Sequence, residues 1–311
     1  MASNSSTQPR SYAAAHFALE LDNKTDVGLF RSIEGGGVKA DVMTYQNGAN
    51  YDRWRQLGKP KFEDIKFQVG MSMSKPFYDW LAAFVRGEPL RKDGAIVAAD
   101  FAFNERARRE FTNALIKELT FPKLDAQDKG PAYMSIAVAV EDISFKKGGG
   151  QKIQQAITMN AQKLWTACNF RFVLDGFEQW CKRTTKVDSF TIKQNIIEHH
   201  TGSRRSPIKV PSQVDFPQLS FYVPEADAQP FFDHFTKNAI KGAERTHTKR
   251  SGQLQTYDNE GKPLFTLEFY EADILAVTPD KSDAGSEEIK QVKIDLFTEK
   301  MTFSYAAMEV E

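Results

Sequence analysis

Phe17-Ala-Leu-Glu-Leu-Asp22 and Phe170-Arg-Phe-Val-Leu-Asp175 are two versions of one strand set 153 residues apart, and this spacing persists along the chain. Ile65-Lys-Phe67 aligns with Leu219-Ser-Phe221, and Phe77-Tyr-Asp-Trp-Leu81 with Phe231-Phe-Asp-His-Phe235, both at an offset of 154. Arg86-Gly87 aligns with Lys241-Gly242 at 155, and the offset then grows to 158 for Lys92-Asp-Gly94 with Arg250-Ser-Gly252 and for Phe111-Thr-Asn-Ala114 with Phe269-Tyr-Glu-Ala272. An ordered series of matches with a slowly growing offset is the trace that duplication followed by loop insertion leaves. The expectation is a tandem pair of domains: a polar arm over 1–14, copy one over 15–147, a linker over 148–166 and copy two over 167–308.

Each copy reads as strands with one helix. Phe17/Leu19/Leu21, Val38/Ala40/Val42, Ile65/Phe67/Val69 and Met134/Ile136/Val138/Val140 alternate with the period of half-buried strands. Phe170/Phe172/Leu174, Leu219/Phe221/Val223, Phe265/Leu267/Phe269 and Val292/Ile294/Leu296 repeat the pattern. One helical stretch interrupts each series: Ser74 is placed to cap it, Pro76 falls in its first turn, and Phe77, Trp80, Leu81 and Phe84 recur at helical spacing. The duplicate helix is expected to start near Asp227, with Phe231 and Phe235 on its core face. Gly94 and Gly252 read as turn glycines supplying positive φ. Lys147-Gly-Gly-Gly150 reads as a hinge, and Ile153, Ile157, Ala161 and Leu164 as a short connecting helix.

The bulk properties exclude several classes. The 311 residues carry 41 basic and 41 acidic side chains, divided 22 to 19 over the first 153 residues. Neither half has the basic excess of a dedicated DNA-binding domain. The N-terminal Met1-Ala-Ser-Asn-Ser-Ser-Thr-Gln-Pro-Arg10 has no apolar signal region and no stretch is long enough to span a bilayer, so no membrane insertion is expected. Cys168 and Cys181 read as free thiols of a chain made in the cytoplasm.

Chemical motifs are weak. His199 and His200 are adjacent, and Cys168, Cys181, His234 and His247 lack paired zinc-ligand spacing. Glu34-Gly-Gly-Gly37 and Gly58-Lys59 are read as turns, since neither is followed by the hydroxyl of a phosphate loop. Arg106, Arg108 and Arg109, among Glu105 and Glu110, read as a mixed charged face. With no nucleophile constellation or paired carboxylates to place in one pocket, no enzyme, metal or cofactor is expected.

Copy one, from about His16 to Phe145, resembles the phage contractile tail-tube family, which also occurs in contractile injection systems. Tyr45-Gln-Asn-Gly-Ala-Asn50, Arg55-Gln-Leu-Gly-Lys-Pro-Lys-Phe62 and Ile65-Lys-Phe67 carry the resemblance, followed in family order by Phe77-Tyr-Asp-Trp80, Arg86-Gly87, Arg91-Lys-Asp-Gly94 and Phe111-Thr-Asn-Ala114. The resemblance implies a mainly β (α+β) fold: two tandem antiparallel β-sandwich or half-barrel domains, each with one flanking helix. It further implies closure of six such folds into a ring, with rings stacking into a tube. Joining strand edges around a ring removes open edges while building a lumen. Copy two departs at His199-His-Thr-Gly-Ser-Arg-Arg205 and Pro207-Ile-Lys-Val-Pro211, which stand in place of the Gly-Lys-Pro-Lys-Phe closure.

The functional expectation is a structural subunit of a phage tail tube or injection-system inner tube, assembled into a virion tail or injection particle. Three chains would supply six folds, a pseudo-hexameric ring conducting DNA or protein, with sheath, baseplate or terminator proteins as further partners. A specialised baseplate initiator or terminal ring is the near alternative, and a non-assembling β-rich binding module the distant one. Candidate inter-subunit residues are Tyr45, Asn50, Tyr51, Trp54, Arg55, Lys59, Pro60, Lys61 and Phe62 in copy one, with His199, Arg204 and Arg205 in copy two. Tyr, Trp and Arg are enriched at the hot spots of protein interfaces.

Overall fold

The computed structural model describes residues 16–22, 28–46, 48, 53–153, 165–242, 249–280 and 289–306. In the first half, β1 (His16–Leu21), β2 (Gly28–Gly35), β5 (Ile65–Met73), β6 (Lys92–Ala99), β7 (Glu105–Phe121) and β9 (Met134–Ala139) form one antiparallel sheet. The neighbours run β7-β6-β1-β2-β5-β9, and β9 pairs back onto β7, so the sheet nearly closes into a barrel. β10 (Asp142–Lys147) pairs with the start of β7, and a hairpin of β3 (Val38–Gln46) and β4 (Arg53–Phe62) stands outside this sheet. β7 serves two sets of neighbours because it bends: Asn113 takes φ 51, and the register slips between Ile116 and Glu118.

Helix α1 (Lys75–Val85) closes the barrel, burying Phe77, Trp80, Leu81 and Phe84 as their spacing predicts. Pro76 lies in its first turn, where a missing N–H costs nothing. Ser74 holds the cap position in extended backbone, but its hydroxyl makes no capping bond; its carbonyl accepts the first helical N–H groups instead. The helix ends at Arg86, with Gly87 following at φ 78, the left-handed region that glycine enters at little cost.

The second half contains β11 (Phe170–Leu174), α2 (Glu178–Cys181), β12 (Lys186–Val187), β13 (Phe190–His199), β14 (Ile208–Asp215), β15 (Leu219–Pro224), α3 (Gln229–Phe235), β16 (Arg250–Tyr257), β17 (Pro263–Pro279), β18 (Gln291–Phe297) and β19 (Lys300–Tyr305). Its strand registers reproduce those of the first half. Leu21 faces Gly94 and Leu174 faces Gly252; Gly94 faces Phe111 and Gly252 faces Phe269. Phe67 faces Ile136 and Phe221 faces Ile294. The slip at Ile116/Glu118 recurs at Ile274/Ala276, and the positive φ of Asn113 recurs at Glu271, φ 55. α3 begins two residues after Asp227, which sits in a short 3-10 turn, and buries Phe231, while Phe235 is partly buried against the core.

Gly94 and Gly252 lie within β6 and β16, not in turns. A Cβ on Gly94 would collide with the Glu20 carbonyl and the Phe111 ring, and one on Gly252 with the Val173 carbonyl and the Phe269 ring. Close approach of a neighbouring strand, rather than positive φ, therefore selects glycine here. Gly58 likewise lies in β4 instead of a turn, whereas Gly35 and Gly36 do turn, at φ 81 and φ 70. The expected hinge at Lys147–Gly150 is pinned: the Gly148 and Gly150 N–H groups donate to the carbonyls of Arg106 and Glu105. The connecting helix expected beyond Ile153 falls outside the described residues.

One buried cluster runs through both halves. Phe121 of β7 packs on Phe265 and Phe303, and Trp165 meets Phe265 edge to face at 5.3 Å. Cys168 and Cys181 are free thiols, and burial pushes the Cys181 thiol up to about 12. Gly252→Ala is expected to destabilise the chain by about 1–3 kcal/mol through overpacking. Chemical denaturation should detect this as a lower midpoint, whereas alanine at the open Gly202 should leave the midpoint nearly unchanged.

Candidate inter-subunit interface

The hairpin β13–β14 of the second half does not stay with its own sheet. It joins the first half by pairing β13 with the far end of β7, Phe190 opposite Phe121 and Lys193 opposite Glu118. The rings of Phe121 and Phe190 stack at 4.8 Å, the hydroxyls of Thr120 and Thr191 bond at 2.9 Å, and Gln194 Nε2 donates to the Ile116 carbonyl at 2.6 Å. A reciprocal strand, β8 (Leu124–Asp125), leaves the first half to pair with β12. Strand addition of this kind supplies affinity through backbone bonds and register through side chains.

A polar clamp fixes the hairpin further out. Glu141, 1% exposed, accepts from Arg91 Nη1 at 2.8 Å, Asn113 Nδ2 at 3.0 Å, the Lys209 N–H at 3.0 Å and Arg204 Nη1 at 3.4 Å. Arg91 Nη2 also donates to the Lys209 carbonyl at 2.6 Å, so the Lys209 residue is held through both its N–H and its C=O. The Lys209 ammonium is itself buried, and desolvation lowers its pKa despite Asp64 at 3.9 Å. Asp64 is shared with Lys117 at 2.7 Å, an ion pair that raises the Lys117 pKa.

The first-half hairpin β3–β4 has the same construction as β13–β14. Val42 faces Leu57 and Tyr45 faces Trp54, as Ile196 faces Pro211 and His199 faces Ile208. Both hairpins slip register two residues before the equivalent pair, between Ala40 and Val42 in one and between Gln194 and Ile196 in the other. Only the surroundings differ. β3 and β4 pair only with each other among the described residues, leaving Trp54 67%, Leu57 68%, Val42 57% and Val38 52% exposed. The half-burial expected of Val38/Ala40/Val42 holds only at Ala40, and Val38 and Val42 are exposed. An isolated two-stranded ribbon is marginal in water, and this one exposes a contiguous apolar surface.

Tyr45, Trp54 and Arg55 stand on this bare ribbon, with Lys59, Pro60, Lys61 and Phe62 toward its base. Lys61 pairs with Asp41 at 2.6 Å, and Phe62 packs partly against the core. Asn50 and Tyr51 lie outside the described residues. His199, Arg204 and Arg205 occupy the end of the other hairpin, where Arg204 reaches Glu141 of the same chain. The structure thus separates the candidates into one group on a bare hairpin and one on a docked hairpin. The clamp residues Arg91, Asn113, Glu141 and Lys209 were not among the candidates. For two of them the sequence carries a signal in matched spacing, since Arg91 and Glu141 stand 158 residues before Lys249 and Glu299.

The mixed charged face resolves into specific pairs. Arg108 bonds Glu20 and Glu105, and Arg106 bonds Asp100, whose carboxyl is lowered to about 2, first by the Asn104 N–H. No cluster of potential metal ligands occurs among the described residues. His234 lies against Asp273 at 3.1 Å and edge-on to Phe177. No helix among the described residues is long and apolar enough to cross a membrane.

The first half is thus a nearly closed antiparallel barrel that takes in a hairpin from the second half, and the polar cluster at Glu141 holds that hairpin in place. Residues 13–144, somewhat under half of the chain, match the family described as T4-like virus tail tube protein gp19. Similar solved structures come from contractile injection systems. The PVC sheath-tube complex in the extended state contains a chain 20% identical, with 44% of this chain and 92% of that chain covered at a TM-score of 0.39. The tube-terminating cap of the anti-feeding prophage contains one 19% identical, with 48% and 100% covered at 0.38. The PVC sheath/tube terminator gives 19% identity, 44% and 98% coverage and 0.37. No curated protein sequence matches the chain.

Glu141→Ala is expected to cost about 2–3 kcal/mol, because it removes a charged acceptor and strands Arg91 and the Lys209 N–H. Urea unfolding should report the loss. The Arg91→Ala/Glu141→Ala double variant should lose less than the sum of the single variants.

Proposed function

We propose that the chain is a structural tube subunit made of two tandem copies of the tail-tube fold, three chains closing a pseudo-hexameric ring. Rings stack into a conduit for DNA or protein in a virion tail or contractile injection particle. The observation that carries this reading is the hairpin exchange. One copy donates its hairpin to the sheet of the other at a fixed register, and the matching hairpin of the first copy remains bare. A chain whose halves join head to tail presents the same two unlike surfaces at its ends, and repeating such a contact with closing rotation makes a ring. The tail-tube family match over residues 13–144 supports the structural role. The balance of 41 basic and 41 acidic residues suits a passage that must not retain a polyanion.

The work of such a subunit is geometric, and no catalytic step enters it. Sheath, baseplate or terminator proteins are the further partners of this reading. A second form of it, a specialised initiator or terminal ring, is favoured by the divergence of copy two at His199–Pro211, which would adapt one part of the ring to an unlike neighbour.

Electron microscopy of the purified protein across a concentration series, with mass determination in parallel, tests the proposal. Rings of three 35.2-kDa chains are the expected result. Six chains in one layer would overturn the pseudo-hexamer, and dispersed monomers at every concentration would favour a binding module. Stacking into tubes marks a main tube protein, whereas single stable rings mark the specialised form. Trp54→Ala with Leu57→Ala should abolish assembly, because hot-spot anchors of this kind commonly contribute 2 kcal/mol or more each. The same change should leave monomer stability within about 0.5 kcal/mol, as expected for exposed side chains.

A further inference from the structure

The joint between the halves can be carried forward by the repeat offsets, residue by residue, onto surfaces that have no partner in one chain. The far end of β7 has β9 on one edge and β13 on the other. Its counterpart in β17, Ala276–Pro279, has β18 on the matching edge and no strand on the other among the described residues. In the docked hairpin, Ile192 faces Leu119 and Lys193 faces Glu118. The same places in the bare hairpin and in β17 are Val38 with Val277 and Lys39 with Ala276.

The clamp has a counterpart too. Arg91 and Glu141 correspond to Lys249 and Glu299, which form the same ion pair at 2.8 Å, and Lys209 corresponds to Arg55. Where a hairpin covers the clamp, Glu141 is 1% exposed; in the second half Glu299 is 53% exposed, beneath a hairpin site that this chain does not fill. The unfilled clamp, the open edge of β17 and the bare hairpin are three separate surfaces, and a single repetition of the internal joint satisfies all of them.

We propose that a second copy of this chain fills the site at one defined register: β3 of one chain adds antiparallel to β17 of the next, Val38 opposite Val277 and Lys39 opposite Ala276. The Arg55 backbone of the first chain then lies between Lys249 and Glu299 of the second, its N–H donating to the Glu299 carboxylate and its C=O accepting from the Lys249 ammonium. The inter-chain seam differs chemically from the internal one. Gly36, Gly37, Thr278 and Pro279 stand where Phe190, Thr191, Thr120 and Phe121 make ring and hydroxyl contacts, so the inter-chain seam lacks those contacts and rests on backbone pairing, the clamp and the apolar hairpin side chains Trp54 and Leu57. It is accordingly the weaker of the two and opens first on dilution. This inference rests on the self-assembly reading above and adds to it the partner surface and the register.

The test is cysteine cross-linking in a Cys168→Ser background. Chains carrying Val38→Cys are mixed with chains carrying Val277→Cys under mild oxidation at assembling concentration, with Val42→Cys plus Val277→Cys, four residues out of register, as the control. A covalent dimer from the first mixture alone is expected, and a chain carrying both Val38→Cys and Val277→Cys should close into covalent rings. Glu299→Ala, at a half-exposed side chain, should raise the concentration needed for assembly at least tenfold with an unchanged unfolding midpoint. Assembly by microscopy without the in-register cross-link overturns this seam and leaves the ring reading standing. Efficient cross-linking of the out-of-register pair also overturns it. Absence of any assembly, with folded monomers, overturns both.

Discussion

Backbone pairing between β7 and β13 is the contact on which the rest of the molecule depends. A strand edge buried without a partner leaves amide and carbonyl groups unsatisfied, and one exposed to water invites whatever chain arrives first. Here the far end of β7 is satisfied by a strand from the other half, so the two halves share a sheet instead of merely touching. Side chains then set the register: Phe121 on Phe190, Thr120 on Thr191, and the Glu141 clamp on the Lys209 backbone. The bend of β7 at Asn113 and Ile116 makes this possible, since a straight strand could not leave one set of neighbours and reach another.

Most of this architecture was legible from residue patterns. The alternating strands at Phe17–Leu21, Ile65–Val69 and Val292–Leu296, and the helix at Phe77–Phe84, appear where hydrophobic period places them, because each turns one face to the chain's own core. The errors share a cause. Composition predicts turns at Gly94, Gly252 and Gly58, yet all three sit in strands; at Gly94 and Gly252 a neighbour's carbonyl and ring leave no room for a Cβ, and at Gly58 a Cβ would press on the Asp41 carbonyl. Composition cannot separate a glycine needed for φ from a glycine needed for space. Val38 and Val42 show the complementary failure: their alternation is real, but within this chain both are exposed.

The interface was legible in part for a related reason. Trp54 and Arg55 stand out by residue type and the structure places them on the bare ribbon, whereas Glu141 is a single acidic residue between two strands and carries no local signature. Its environment is built from residues 28, 50 and 68 positions away in sequence. Only comparison of positions 158 residues apart, Glu141 with Glu299 and Arg91 with Lys249, brings it forward.

The last strand carries a consequence of its own. Tyr305 of β19 stacks on Tyr78 at 4.8 Å, and its hydroxyl donates to Asp79 of α1 at 2.5 Å, a contact spanning 226 positions of chain. The helix that seals the first barrel is thus itself sealed by nearly the last residue described. Long-range closure of this kind raises contact order and slows folding. It also ties the two halves together, and the first half keeps an open flank until β19 is in place. A protein that reads as two modules in its sequence is stitched together at both ends of its structure.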